Sequence, residues 1–391
     1  MKSTRIMAFA ALIALIAVLT GGCGGAIATG SMSGYVVVFA GAKGVSQQSA
    51  GVMGVIPTPQ PDTKPLEGAY VEAEGPSGLL HTRTNSDGWF GFARLLPGYY
   101  RVSISASGSL DRVDTFCTVS AGINTPVGNY RLGSIRVLSI GINDYRWANP
   151  LQGPVNDAVL LKDVLGDDST LAAEWRLLND SLATKEGIRS AIEGLGSEMG
   201  PGDTFIMSFS GHGMEDGVSE YIIPYDFSGS VNTAIRDQEL KQWVDQYVRA
   251  GKSVFIFDSC YSGGMASSAN VLPAGVRLST GFDIMARNIL APGRIVMTAS
   301  SKYQESYELS GLGPYGNAWH GAFAWCLAKG MLYPSYPADA NSDFNITTQE
   351  AFNYAKSSLG PLLRSYSIDP DSQTPQLFSD PMGSSFYLFS Y

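Results

Sequence analysis

The 391-residue chain is 45% hydrophobic and 16% charged, a globular composition, and it is longer than one ordinary core needs. Its 26 Lys and Arg against 35 Asp and Glu leave a net charge of −9 with no block of like charge. That balance argues against nucleic acid, which wants a basic face, and is compatible with a cationic or peptide substrate.

Lys2 and Arg5 precede an apolar run, Ile6 to Leu19, too short to span a bilayer comfortably. Leu19-Thr20-Gly21-Gly22-Cys23 resembles a bacterial lipoprotein cleavage box, with Cys23 the lipidated first residue. Ala26-Ile27-Ala28 is an alternative site for ordinary signal peptidase. Residues 1–23 are therefore expected to be an export signal. The protein is placed outside the cytoplasm in a bacterial cell envelope, held to the membrane by a lipid on Cys23 or else secreted. Only Cys117, Cys260 and Cys326 remain, an odd number that leaves a free thiol needing a reason. A Cys117–Cys326 disulfide stays open at this point, beside the reading of both as small buried residues.

Residues 24–66 are rich in Gly, Ser, Ala and Pro and read as a linker and extended insert, with one strand at Tyr35–Phe39. Residues 67–132 alternate in the β manner at Ala69–Ala73, Trp89–Phe92 and Tyr99–Ile104. Turns fall at Asn85-Ser86-Asp87-Gly88 and Leu96-Pro97-Gly98. This predicts a small β-sandwich. The run from Thr84 to Phe92, followed by Leu96 to Val102, resembles the carboxypeptidase regulatory-like sandwich, which implies a non-catalytic spacer or partner surface.

From residue 133 to 391 the period changes. Strands are predicted at Arg136–Ile142, Trp175–Leu178, Thr204–Phe209, Ser253–Phe257 and Arg294–Thr298. Helices are predicted at Val155–Leu165, Lys185–Leu195 and Asp237–Val248. Such alternation gives an α/β fold with a mostly parallel sheet and helices on both faces. Ligands in such sheets bind beyond the carboxyl ends of the strands. There the sequence offers Asp157, then Ser210-Gly211-His212-Gly213, then Asp258-Ser259-Cys260. A thiol near pKa ~8.5 is mostly protonated at neutral pH, and a neighbouring histidine both activates it and protonates a leaving amine. Cys260 is the candidate nucleophile and His212 the acid/base. The amides of Gly213 and Cys260 are candidate oxyanion donors, and Gly211 and Gly213 would let a substrate backbone pass close. His81 is read as a surface residue of the sandwich and His320 as a structural residue.

Ser-Gly-His-Gly at 210–213, Asp-Ser-Cys-Tyr-Ser-Gly-Gly at 258–264, Gly141–Tyr145, Leu151–Ala158 and Gln373-Thr374-Pro375-Gln376 together resemble the caspase-like peptidases, within them the metacaspase branch. The His-to-Cys spacing is close to the ~50 residues of caspases, with Asp258-Ser259 in place of Gln-Ala before the cysteine. The resemblance implies a caspase-haemoglobinase-like fold, a polypeptide substrate, and cleavage after Arg or Lys. Asp157, Asp258 and Ser210 would line the basic pocket. Physically, two converging carboxylates repel, and a bound guanidinium relieves that repulsion. The resemblance also implies self-cleavage in the loop Met265–Pro292, with Arg277 and Arg287 as candidate sites.

Asp339, Asn341, Asp343, Asn345, Thr347 and Glu350 follow the EF-hand ligand order, with Phe344 where the glycine belongs, a candidate calcium loop. The chemistry itself needs no cofactor. The alternative reading is a catalytically silent, surface-anchored binding protein with the same fold. Oligomeric state is not legible.

Overall fold

The structure, a computed structural model, describes residues 28–39, 63–106, 112–166, 173–259, 276–279, 281–302, 304–313, 316–379 and 387–390. Strands β1 (Gly30–Phe39), β2 (Thr63–Pro65), β3 (Tyr70–Gly75), β4 (Gly78–Arg83), β5 (Trp89–Leu95), β6 (Gly98–Ser105), β7 (Val113–Val119) and β8 (Asn124–Leu132) form two sheets. Their residues alternate between buried and wet, as a sheet packed on one face requires. The antiparallel order β4-β3-β6-β7 makes one sheet. In the other, β1 pairs with β2 and β5 along one edge and with β8 along the other. Val36, Val71, Phe90, Tyr100 and Ile104 fill the space between. The predicted boundary at 67 is thus corrected. β1 is an interior strand of the sandwich, and its partners Trp89–Leu95 and Asn124–Leu132 are too distant in sequence for a local pattern to reveal.

Two residues, Gly133 and Ser134, join β8 to β9 (Ile135–Gly141). This joint is pinned by Asp203, which is fully buried. Its carboxylate accepts from Gly200 N (2.6 Å), Ser134 N (2.7 Å), Ser134 Oγ (3.0 Å) and Arg131 Nη2 (3.0 Å).

The second half runs β9, α1 (Pro154–Leu165), β10 (Ala173–Asn179), α2 (Lys185–Ser197), β11 (Thr204–Gly211), β12 (Gly213–Glu215), β13 (Glu220–Ile222), β14 (Ile235–Arg236) and α3 (Asp237–Tyr247). It continues with β15 (Lys252–Ser259), β16 (Arg277–Ser279), α4 (Asp283–Ile289), β17 (Arg294–Thr298), β18 (Glu308–Leu312), β19 (Ala318–Gly321) and α5 (Ala322–Gly330). β20 (Asn345–Thr347), α6 (Thr348–Ser365), β21 (Gln376–Ser379) and β22 (Tyr387–Ser390) complete it. The main sheet has the order β10-β9-β11-β15-β17-β21; the first five strands are parallel and β21 is antiparallel. Every residue of β9 and β11 is buried, which is why they read as unbroken apolar runs. One face packs on α1, α5 and α6, the other on α2, α3 and α4. A small antiparallel sheet, β14-β13-β12-β16, begins one residue beyond β11. Met265–Pro292 is not one loop: it contains β16 and α4.

Candidate active site

The carboxyl ends of β9, β11 and β15 share one rim. In register, Ser210 lies beside Asp258 and Gly211 beside Ser259. The next residues in the chain are His212 and Cys260; Cys260 lies outside the described residues, as does Cys23.

The His212 side chain is buried, and its Nε2 sits 2.8 Å from the Asn149 carbonyl oxygen. A carbonyl only accepts, so Nε2 carries the proton and the lone pair is left on Nδ1. Burial lowers the imidazole from its ordinary value to about 4, against the opposing pull of that carbonyl, so the ring is neutral at pH 7. Its backbone N–H donates to Tyr145 Oη at 2.7 Å, and the two rings lie 4.7 Å apart. The flanking glycines serve the protein's own packing here. A Cβ on Gly211, at φ +156°, would lie 2.4 Å from Tyr145 Oη; one on Gly213 would lie 2.6 Å from Phe282 Cζ.

Asp157 stands in the first turn of α1, wholly buried. Its Oδ2 accepts from Ser210 Oγ (2.8 Å) and Gly321 N (3.0 Å), and its Oδ1 lies 2.9 Å from His320 Nδ1. Burial pushes its carboxyl up, opposed by His320, Ser210 and Gly321. Asp258, also buried, accepts from Ser306 Oγ (2.7 Å) and from Ala324 N (3.0 Å) in the first turn of α5. Ser306 is held in turn by Gln373, whose Nε2 also donates to the Ala299 carbonyl. A Cβ on Gly321 would sit 2.4 Å from Asp258 Oδ2 and 2.9 Å from Asp157 Oδ2, so the two carboxylates flank one point of the main chain. Asp157, Ser210 and Asp258 therefore do converge. Their neighbours at the start of α5 occupy the oxygens, a favourable place for anions at a helix N-terminus.

The sequence model of the caspase domain (peptidase family C14) matches residues 135–387. The chain belongs to the caspase family. It is 29% identical to metacaspase-1 of Lodderomyces elongisporus over 154 residues, 34% of this chain and 34% of that protein. It is 31% identical to metacaspase-1B of Aspergillus fumigatus over 148 residues, 34% of this chain and 36% of that protein. The chain thus spans about a third of the length of the curated relatives it matches. Among solved structures, the Drosophila initiator caspase Dronc aligns at 12% identity with a TM-score of 0.37, covering 65% of this chain and 82% of that one.

Arg277 is a strand residue opposite Glu215, ion-paired with it, and Arg287 lies in the last turn of α4. Cys117 and Cys326 are both free thiols; burial pushes Cys326 up to about 12. In the candidate calcium loop, Asp339, Asn341 and Asp343 accept from backbone amides within the loop. Glu350 turns back onto Thr347 as a capping box for α6. Among the described residues no group of three or more His, Cys, Asp or Glu is placed to hold a metal. Asn149 and Ser306, which meet His212 and Asp258, carry no signal in the sequence, and His320, read there as structural, is buried against Asp157. Tyr145 and Gln373 lay inside quoted motifs, which was the available signal.

Proposed function

We propose that this caspase-family chain is a cysteine endopeptidase acting on polypeptides, with Cys260 as nucleophile and His212 as acid/base. The reading is carried by one observation: a buried, neutral imidazole with its acceptor nitrogen unprotonated, at the end of the strand that runs beside the one leading to Cys260. His212 Nδ1 takes the thiol proton as sulfur attacks the scissile carbonyl. The imidazolium then protonates the leaving amine, a thioester remains, and water hydrolyses it to restore the thiol. The amides of Gly213 and Cys260 are assigned to the oxyanion. The converging carboxylates of Asp157 and Asp258, with Ser210, support cleavage after Arg or Lys. We place the protein outside the cytoplasm, tethered through Cys23, with the sandwich as a spacer.

A panel of fluorogenic peptides bearing Arg, Lys or Asp at the cleaved position, run on wild type and Cys260→Ala, tests this. Turnover of basic substrates by wild type alone is expected. Preference for Asp removes the pocket assignment, and turnover by Cys260→Ala removes the nucleophile. One observation favours the silent-binder reading: every oxygen of both carboxylates already has a protein partner. Failure of a thiol alkylator to label Cys260 would support it.

A further inference from the structure

Two large apolar side chains stand in water beside the rim. Trp147, in the loop after β9, is 56% exposed, and Leu182, in the single turn after β10, is 62% exposed. They belong to one stitched surface. Tyr225 ties both backbones: its carbonyl accepts from Arg146 N at 3.4 Å, and its N–H donates to the Ala183 carbonyl at 3.0 Å. Asp180 adds a second tie, its Oδ1 accepting from Asn143 N (2.7 Å) and Asp144 N (2.9 Å), with its own backbone held at φ +44°. The same loop carries Tyr145 and Asn149, which hold the His212 amide and imidazole. A single exposed apolar residue needs no explanation; a pair fixed to the support of the acid/base does.

Strand order gives the pair a direction. From the outer edge inward, the rim carries Leu182 after β10, Trp147 after β9, His212 after β11, and then the strand leading to Cys260. His212 gives its proton to the leaving amine, so the chain beyond the scissile bond departs on the histidine side. That course crosses the ends of β9 and β10. Asp157 and Asp258 gather at the start of α5, on one face of the sheet, whereas Tyr145, Ala183 and Tyr225 pack with the core of the other face. The apolar pair is therefore separate from the basic pocket. We propose that Trp147 and Leu182 form the subsite for the residue just after the cleaved bond, and that it takes a large apolar side chain. The inference rests on the peptidase reading above and deepens it. Asp144 and Arg146, one of each sign, are the exposed charges of this loop, so it carries no net charge to draw an acidic or a basic residue. What it offers is apolar area to be removed from water.

The test uses the full chain and internally quenched peptides that keep Arg before the cleaved bond and differ only in the residue after it: Leu, Phe, Gly or Asp. Wild type should favour Leu and Phe over Gly and Asp by about tenfold in kcat/KM, the size that burying one such side chain supports. Trp147→Ala and Leu182→Ala should each bring that ratio below about threefold, while Trp147→Phe, which keeps an aromatic face, should retain most of it. A purely structural role would slow all four peptides alike and leave the ratio where it was. Cleavage with no preference at this position, or a preference that survives in both alanine variants, overturns the subsite while leaving the peptidase reading standing. Absence of cleavage of all four peptides overturns the two together. The preference itself is read on wild type, so the outcome does not depend on a variant folding.

Discussion

Glu220 offers a stability measurement whose sign is fixed by its surroundings. It is fully buried on β13, accepts from Met285 N at 2.9 Å through Oε2, and among the described residues finds no partner for Oε1. Burial raises its carboxyl from 4.5 to about 8, with Asp283 and Glu215 adding to the push and the Met285 and Ile284 amides opposing it. Below about pH 4.5 folded and unfolded chains both hold the proton. Between 4.5 and 8 only the unfolded chain releases it, so stability falls as pH rises, and above 8 the loss is complete. At 1.36 kcal/mol per decade the gap is at most roughly 5 kcal/mol; chain relaxation and water penetration bring a realistic figure to about 2. Glu220→Gln keeps the shape, removes the titration, and adds a donor among carboxylates. Urea unfolding of the caspase-domain transition should show the variant about 2 kcal/mol more stable than wild type at pH 8.5 and nearly equal at pH 5. A difference of the same size at both pH values would refute the reasoning, because it would be packing and not protonation.

Tyr145→Phe strands the buried His212 amide; it should cost about 1–3 kcal/mol and lower kcat more than KM, as read from unfolding and kinetics on one preparation. The imidazole of His212 stays neutral until about pH 4, so kcat should hold down to about pH 5; an acid limb in kcat near pH 6.5 would show that the ring is not desolvated as described. Gln373→Ala removes the support of Ser306 and through it of Asp258, and should raise KM for basic peptides more than it lowers kcat. Glu350→Ala breaks a capping box and should cost about 1 kcal/mol with or without calcium in the buffer; a calcium-dependent gain in Tm that the variant loses would make the loop a metal site instead.

The alternation of strand and helix was legible because β9, β11 and β15 are covered on both faces and carry unbroken apolar runs. The site was legible because its residues fall just beyond those runs. What escaped was set by long-range geometry. β1 joins partners far along the chain, β12 to β14 and β16 are too short to carry a period, and His320 meets Asp157 across 163 positions of sequence. The Ser-Gly-His-Gly glycines also make room for Tyr145 and Phe282, contacts that no local pattern reveals.

The four donors gathered on Asp203 make the passage between the two halves a stiff hinge pin, with little of the swing expected of a short polar linker. A pull applied to the sandwich is therefore transmitted straight into β9, whose far end carries the rim. The caspase-family half thus takes the course of its first sheet strand from the end of the sandwich.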